Sequence, residues 1–164
     1  MFLYCLILFQ RMAEEETSFM VKALSIKQAP DIVSFLTREL FNLTNNGLPK
    51  VTIDFKGFIY PEEDFWKEIH PNIESHIGNE MIQYCCRINN GKTALLLITG
   101  ENIIKYVNRV TGLSLSWGSD KGTIRGEFKS PEDPNTSAYD PVYTPKNLEE
   151  AIKVRSCLEK YGLM

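Results

Sequence analysis

The chain has 164 residues, with 18 Lys plus Arg against 21 Asp plus Glu and a formal net charge of −3; its pI near 5.5 argues against a nucleic-acid partner. At 43% hydrophobic and 24% charged residues it reads as one compact domain, which excludes collagen-like, low-complexity and disordered classes. No apolar run approaches the roughly 20 residues that span a bilayer.

The opening Met1-Phe2-Leu3-Tyr4-Cys5-Leu6-Ile7-Leu8-Phe9-Gln10-Arg11 is a short apolar run without a basic leader or a small-x-small cleavage site. Met12-Ala13-Glu14-Glu15-Glu16 reads like a cytosolic amino terminus, so residues 1–12 are set apart as an apolar extension from a domain over 13–164. Ser18 to Ala23 reads as a short buried strand carrying Phe19, Met20 and Val21. An amphipathic helix follows from Ala29 to Asn45, opened by Pro30 and Asp31 and closed by Asn45-Asn46-Gly47. Val51, Ile53 and Phe55 alternate with polar residues as in a half-buried strand.

Pro61 to Glu68 and about Ile73 to Ile88 read as helices. Thr93 to Ile98 is an apolar run between Gly91 and Gly100, suited to a strand buried on both faces. Helix signals resume from Glu101 to Val110. Gly118 to Ser130 is glycine-rich and irregular, the proline-rich stretch from Ser130 to Pro145 is mostly loop, and Asn147 to Leu158 is a closing helix. This order predicts an α+β domain with helices packed on a small sheet.

The four cysteines, Cys5, Cys85, Cys86 and Cys157, include an adjacent pair and form no Cys-x-x-Cys, so a reducing, cytoplasmic setting fits better than a disulfide framework. His70 and His76 are the only histidines, and their spacing puts them on different helix faces, which makes zinc improbable. Neither Gly-x-Ser-x-Gly, nor a dinucleotide glycine fingerprint, nor a Walker sequence occurs.

Gly122-Thr123-Ile124-Arg125-Gly126-Glu127-Phe128 carries the most information. A turn holding Arg125 between two glycines can aim a guanidinium fork and backbone N–H groups at a phosphate, although a solvated arginine in an ordinary turn fits the same residues. The segment resembles the Gly-Thr-Ile-Arg-Gly-Asp-Phe motif of nucleoside diphosphate kinases, with Glu127 for Asp. Asn102-Ile103-Ile104-Lys105 and Gly112 are similar to the family's Asn-Val-Val-Lys and later Gly, and Ser18 to Lys22 to its first strand. The resemblance covers most of Ser18 to Leu158.

The resemblance implies a ferredoxin-like antiparallel sheet, β-α-β-β-α-β, with helices on one side and a nucleotide in an open cleft. It implies phosphate-contacting roles for Lys22, Ser114 and Arg125, and a ribose-contacting role for Asn135. The family's helix arginine falls on Asn108, with Arg109 one residue, about 100°, away as a substitute. The family continues to Asn-Ile-Ile-His, and counting without gaps places Ala138 on the phosphate-accepting histidine. A methyl group cannot carry a phosphoryl group.

Other departures are Ala23-Leu24-Ser25 for the family's Pro-Asp-Gly, Glu132 at an apolar position against the base, and Phe65-Trp66 for His-Tyr. Phe65 and Trp66 at helical spacing beside Ile69 read as core, and His70 and His76 as solvated helix-surface residues. The expectation is therefore a pseudoenzyme with a partly retained nucleotide phosphate site and a binding, regulatory or structural role. Its partners would be a nucleoside di- or triphosphate, bringing Mg²⁺ with its phosphates, and further copies of the chain or subunits of a larger assembly. The alternatives are an active kinase using a displaced histidine, with His70 or His76 near Lys22 and Arg125, and a purely structural subunit with a vestigial cleft.

Overall fold

A computed structural model describes residues 14–46, 50–70, 76–112, 120–128 and 140–164. Its strands are β1 (Glu15–Val21), β2 (Thr52–Ile59), β3 (Thr93–Gly100) and β4 (Val142–Tyr143). The helices are α1 (Ala29–Asn45), α2 (Glu63–Ile69), α3 (His76–Arg87), α4 (Ile103–Thr111), the single turn α5 (Ile124–Glu127) and α6 (Leu148–Lys160). Short 3-10 helices precede α1 at Ala23–Gln28 and follow α3 at Ile88–Gly91. The four strands form one antiparallel sheet in the order β2-β3-β1-β4, the ferredoxin-like order the sequence implied.

Alternation along β1 and β3 sorts the core into two layers. Phe19 and Val21 with Ala94, Leu96 and Ile98 face Ile32, Leu36 and Leu40 of α1 and Ile103, Ile104 and Val107 of α4. Met20 and Leu95 face the other way, onto Phe65, Trp66 and Ile69 of α2, Ile82 of α3 and Val154 and Leu158 of α6. The expectation of helices on one side is thereby corrected: both sheet faces are covered, which is why β3 is apolar from Ala94 to Ile98. Phe65 and Trp66 are core, as their spacing suggested.

α1 holds the predicted bounds, with Pro30 near its start and Asp31 in its first turn. β1 begins earlier than expected, at Glu15, because Glu15, Glu16 and Thr17 pair with Gly100, Thr99 and Ile98. Within the stretch Ser130 to Pro145, read as mostly loop, the structure adds the two-residue strand β4, whose Tyr143 and Val142 pair with Met20 and Val21. Residues 129–139 of that stretch lie outside the described residues.

In β2 the alternation breaks at a bulge between Phe55 and Gly57, where Gly57 adopts φ +109°. Phe55 and Phe58 consequently both stand half-exposed on the sheet edge, in edge-to-face contact at 5.6 Å. Among the described residues no helix is long and apolar enough to cross a membrane. Cys85, Cys86 and Cys157 are free thiols.

Candidate functional site

Four segments meet beside the β1–β4 seam. Lys22 is the first residue past β1, and its backbone N–H donates to the Pro141 carbonyl at 3.0 Å, continuing the seam. Asp140 stands just before β4, Arg125 lies in α5, and Gly112 ends α4. Arg125 Nε donates to Asp140 Oδ1 at 2.8 Å, and its Nη1 donates to the Gly112 carbonyl at 2.7 Å. Lys22 Nζ stands 3.9 Å from Asp140 Oδ2, and the Val142 N–H donates to Asp140 Oδ1 at 3.3 Å.

Both cations and the carboxylate are buried: Lys22 is 3% exposed, Arg125 5% and Asp140 7%. Burying a charge is costly unless it is paired, so the three hold one another. The arrangement corrects the alternative of a solvated Arg125. It also changes what the glycines do. Gly126 serves by closeness, since a Cβ there would meet the Asp120 carbonyl oxygen at 2.0 Å, whereas Gly122 serves by its φ of +83° and Gly112 by both, with φ +90° and a Cβ that would meet the Thr123 Oγ1 at 2.6 Å. Thr123 closes the turn by accepting from the Gly126 N–H at 3.2 Å while donating to the Asp120 carbonyl at 2.7 Å.

Arg125 forms one wall of a cavity of about 520 Å³ that is also lined by Asn108, Arg109, Asp120, Thr123, Thr144 and Lys146. Arg109 projects from the last turn of α4, where a cation complements the helix dipole. Both Asn108 and Arg109 reach the cavity, so the one-residue offset does not exclude Arg109. Asn108 Nδ2 is engaged by the Ile104 and Pro145 carbonyls, each at 2.8 Å. Thr144, 4% exposed, is another of the lining residues, and its buried hydroxyl finds no hydrogen-bond partner among the described residues. Three cationic side chains against Asp120, with a buried hydroxyl left unpaired, suit an oxyanion.

Ser114, Asn135, Ala138 and Glu132 lie outside the described residues. Asp140, Thr144 and Lys146 were missed by sequence reasoning. Asp140 carried one usable signal: it precedes Pro-Val-Tyr, and a last strand beside β1 brings its first residues to Lys22.

His70 is not the solvated residue expected. It ends α2 with its ring stacked on Trp66 at 6.2 Å and edge-on to Tyr143 at 4.9 Å. Its Nε2 is buried with no partner among the described residues. Burial pushes its pKa down to about 3, and the nearby charges of Lys22, Lys146 and Lys153 add to the shift. Tyr143 donates to Glu150 Oε1 at 2.8 Å, and burial first, then that carboxylate, raises its pKa. The side chain of His76 lies outside the described residues. Among the described residues no cluster of three or more His, Cys, Asp or Glu is arranged to hold a metal ion.

Comparison with solved structures gives the fold its class. A nucleoside diphosphate kinase from Aquifex aeolicus superposes with a TM-score of 0.67 at 16% identity, covering 89% of this chain and 95% of that one. A Babesia bovis protein of the nucleoside diphosphate kinase family gives 0.61 at 20% identity over 87% and 86%. The Borrelia burgdorferi enzyme, in a transition-state mimic with bound vanadate and ADP, gives 0.66 at 18% over 89% and 87%. The chain therefore has the nucleoside diphosphate kinase fold. No protein-family model and no curated protein sequence matches it.

Proposed function

We propose that this chain is a nucleoside diphosphate kinase-like pseudoenzyme that binds the phosphates of a nucleoside di- or triphosphate and does not transfer them. The carrying observation is the convergence of Lys22 and Arg125 on Asp140 beside a cavity that Arg125 lines together with Arg109, Lys146 and Thr144. Solved relatives in fold hold ADP with vanadate, or CDP. Ser114 and Asn135 complete the proposed site by resemblance, and Mg²⁺ arrives with the nucleotide. Loss of transfer rests on the gapless count that puts Ala138 at the nucleophile.

For the displaced-histidine alternative, His70 lies near enough to Lys22 to feel its charge, but its ring is packed against Trp66 and Tyr143. A phosphoryl dianion on its Nε2 would have to be accommodated against Trp66 and Tyr143, where burial already opposes charge. The purely structural reading has one specific observation behind it, since Asp140 already engages both cations. We place the working protein in the cytoplasm, and in assemblies with its own copies: half-exposed Phe55 and Phe58 on the edge strand supply an apolar surface for a second chain.

Calorimetric titration with Mg·ADP tests this. Binding is expected, and Arg109→Ala, on an exposed side chain, weakens it by about 1.5 to 3 kcal/mol, the range for a hydrogen bond to a charged group. Arg125→Ala weakens it at least as much. No heat up to millimolar ligand, with an unchanged melting temperature, overturns nucleotide binding and leaves the structural subunit. Acid-labile label transferred from ATP to the protein and on to a second nucleoside diphosphate overturns the pseudoenzyme.

A further inference from the structure

Asp140 stands where an incoming anion is expected to stand. Its one carboxylate draws on Arg125 Nε at 2.8 Å, the Val142 N–H at 3.3 Å and, more distantly, Lys22 Nζ at 3.9 Å. These donors are cationic or main-chain and converge from three segments, the arrangement that recognises a phosphate oxygen. We propose that Asp140 is a built-in anion that competes with the ligand's phosphate for Lys22 and Arg125, and so sets the site's affinity low. The proposal rests on the nucleotide-binding reading above and adds to it the residue that regulates occupancy.

The competition follows from charge. Two buried cations share a single carboxylate, so the trio keeps a net positive charge that still attracts a polyanion. Lys22 lies beyond hydrogen-bond distance of Asp140 and is the looser of the two partners. A phosphate group carries more charge and more acceptor oxygens than a carboxylate, so it can satisfy Arg125 and Lys22 together. It must first overcome repulsion from Asp140 or displace it from Arg125 Nε. The open face of Arg125 on the cavity, beside Arg109 and Lys146, gives the anion its approach. Asp54, exposed on β2 at the opposite edge of the sheet, is not among the residues that line this cavity. It therefore serves as the control carboxylate.

The test titrates sodium tripolyphosphate and Mg·ADP into wild type, Asp140→Asn and Asp54→Asn. Asparagine keeps an Oδ1 acceptor for Arg125 Nε and the Val142 N–H, and replaces the charged oxygen that faces Lys22 with a neutral NH2. Asp140→Asn is expected to bind both probes at least tenfold tighter than wild type, Asp54→Asn to stay within threefold, and Arg125→Ala to cancel the gain when added to Asp140→Asn. Asp140→Ser, made in parallel, is expected to follow Asp140→Asn. Should either variant be unfolded alone, tripolyphosphate restores its near-ultraviolet circular dichroism, and failure to restore it overturns the proposal. Wild type that binds while a folded Asp140→Asn binds equally or more weakly overturns the competitor role and leaves the nucleotide site standing. No binding by wild type or any variant overturns the nucleotide site itself, and the competitor role with it.

Discussion

His70 shows how one side chain ties packing to solution conditions. Its ring is held between Trp66 and Tyr143, and its pKa is lowered from 6.5 to about 3. Below pH 6.5 the unfolded chain takes up a proton that the folded chain refuses until about pH 3. The unfolded state therefore binds more protons across that window, and stability, full above pH 6.5, falls as the pH drops through it. The limiting slope is about 1.4 kcal/mol per pH unit. Urea denaturation at pH 7 and pH 5 should show wild type losing up to about 2 kcal/mol of stability, and His70→Phe, which keeps the ring and removes the titration, losing clearly less. Equal losses in the two proteins would show that another group governs the acid limb.

Elements declared themselves in the sequence to the extent that local signals defined them. α1 was legible at both ends because Pro30, Asp31 and the stripe of Ile32, Leu36 and Leu40 act within the helix itself. β3 was legible because burial on both faces leaves an unbroken apolar run. β4 was hidden: two residues carry no periodicity, and the strand exists only because β1 offers Met20 and Val21 as partners. The same applies to the site. Lys22, Arg125 and Arg109 were named from a motif, whereas Asp140 acquired its meaning from a pairing distant in sequence, and no local pattern encodes that. α6 offers a test at this scale. Asn147 caps it by accepting the Glu150 N–H at 2.9 Å, and Glu150 in turn accepts from the Lys146 N–H and the Tyr143 hydroxyl. Asn147→Ala should cost about 1 kcal/mol of stability, read as a lower urea midpoint at unchanged slope.

For the molecule as a whole, the sheet has two unequal edges. β4 is short and continues into α6, whereas β2 is eight residues long, bulged, and presents Phe55 and Phe58 half-exposed, with Lys92 Nζ 4.1 Å above the Phe58 ring. An edge with that much aromatic surface is a surface for a second strand or chain unless something covers it. Sedimentation velocity should find wild type as an oligomer at micromolar concentration and Phe58→Asp shifted to monomer with its circular dichroism unchanged. A monomeric wild type would remove the assembly part of the proposal and leave the cavity untouched.

The seam between β1 and β4 joins the beginning of the domain to a segment near its end, with the Lys22 N–H fastened to the Pro141 carbonyl. Such a contact closes a loop of most of the chain, from Lys22 to Pro141, and its entropy has to be met before the contact returns anything. During synthesis, β1, α1, β2 and β3 can leave the ribosome and begin to pack while Lys22 still lacks its carboxylate partner. The proposed ligand site is then completed only once the segment from Asp140 onward has emerged, and an anion bound there would hold the finished domain together but have no place in starting it.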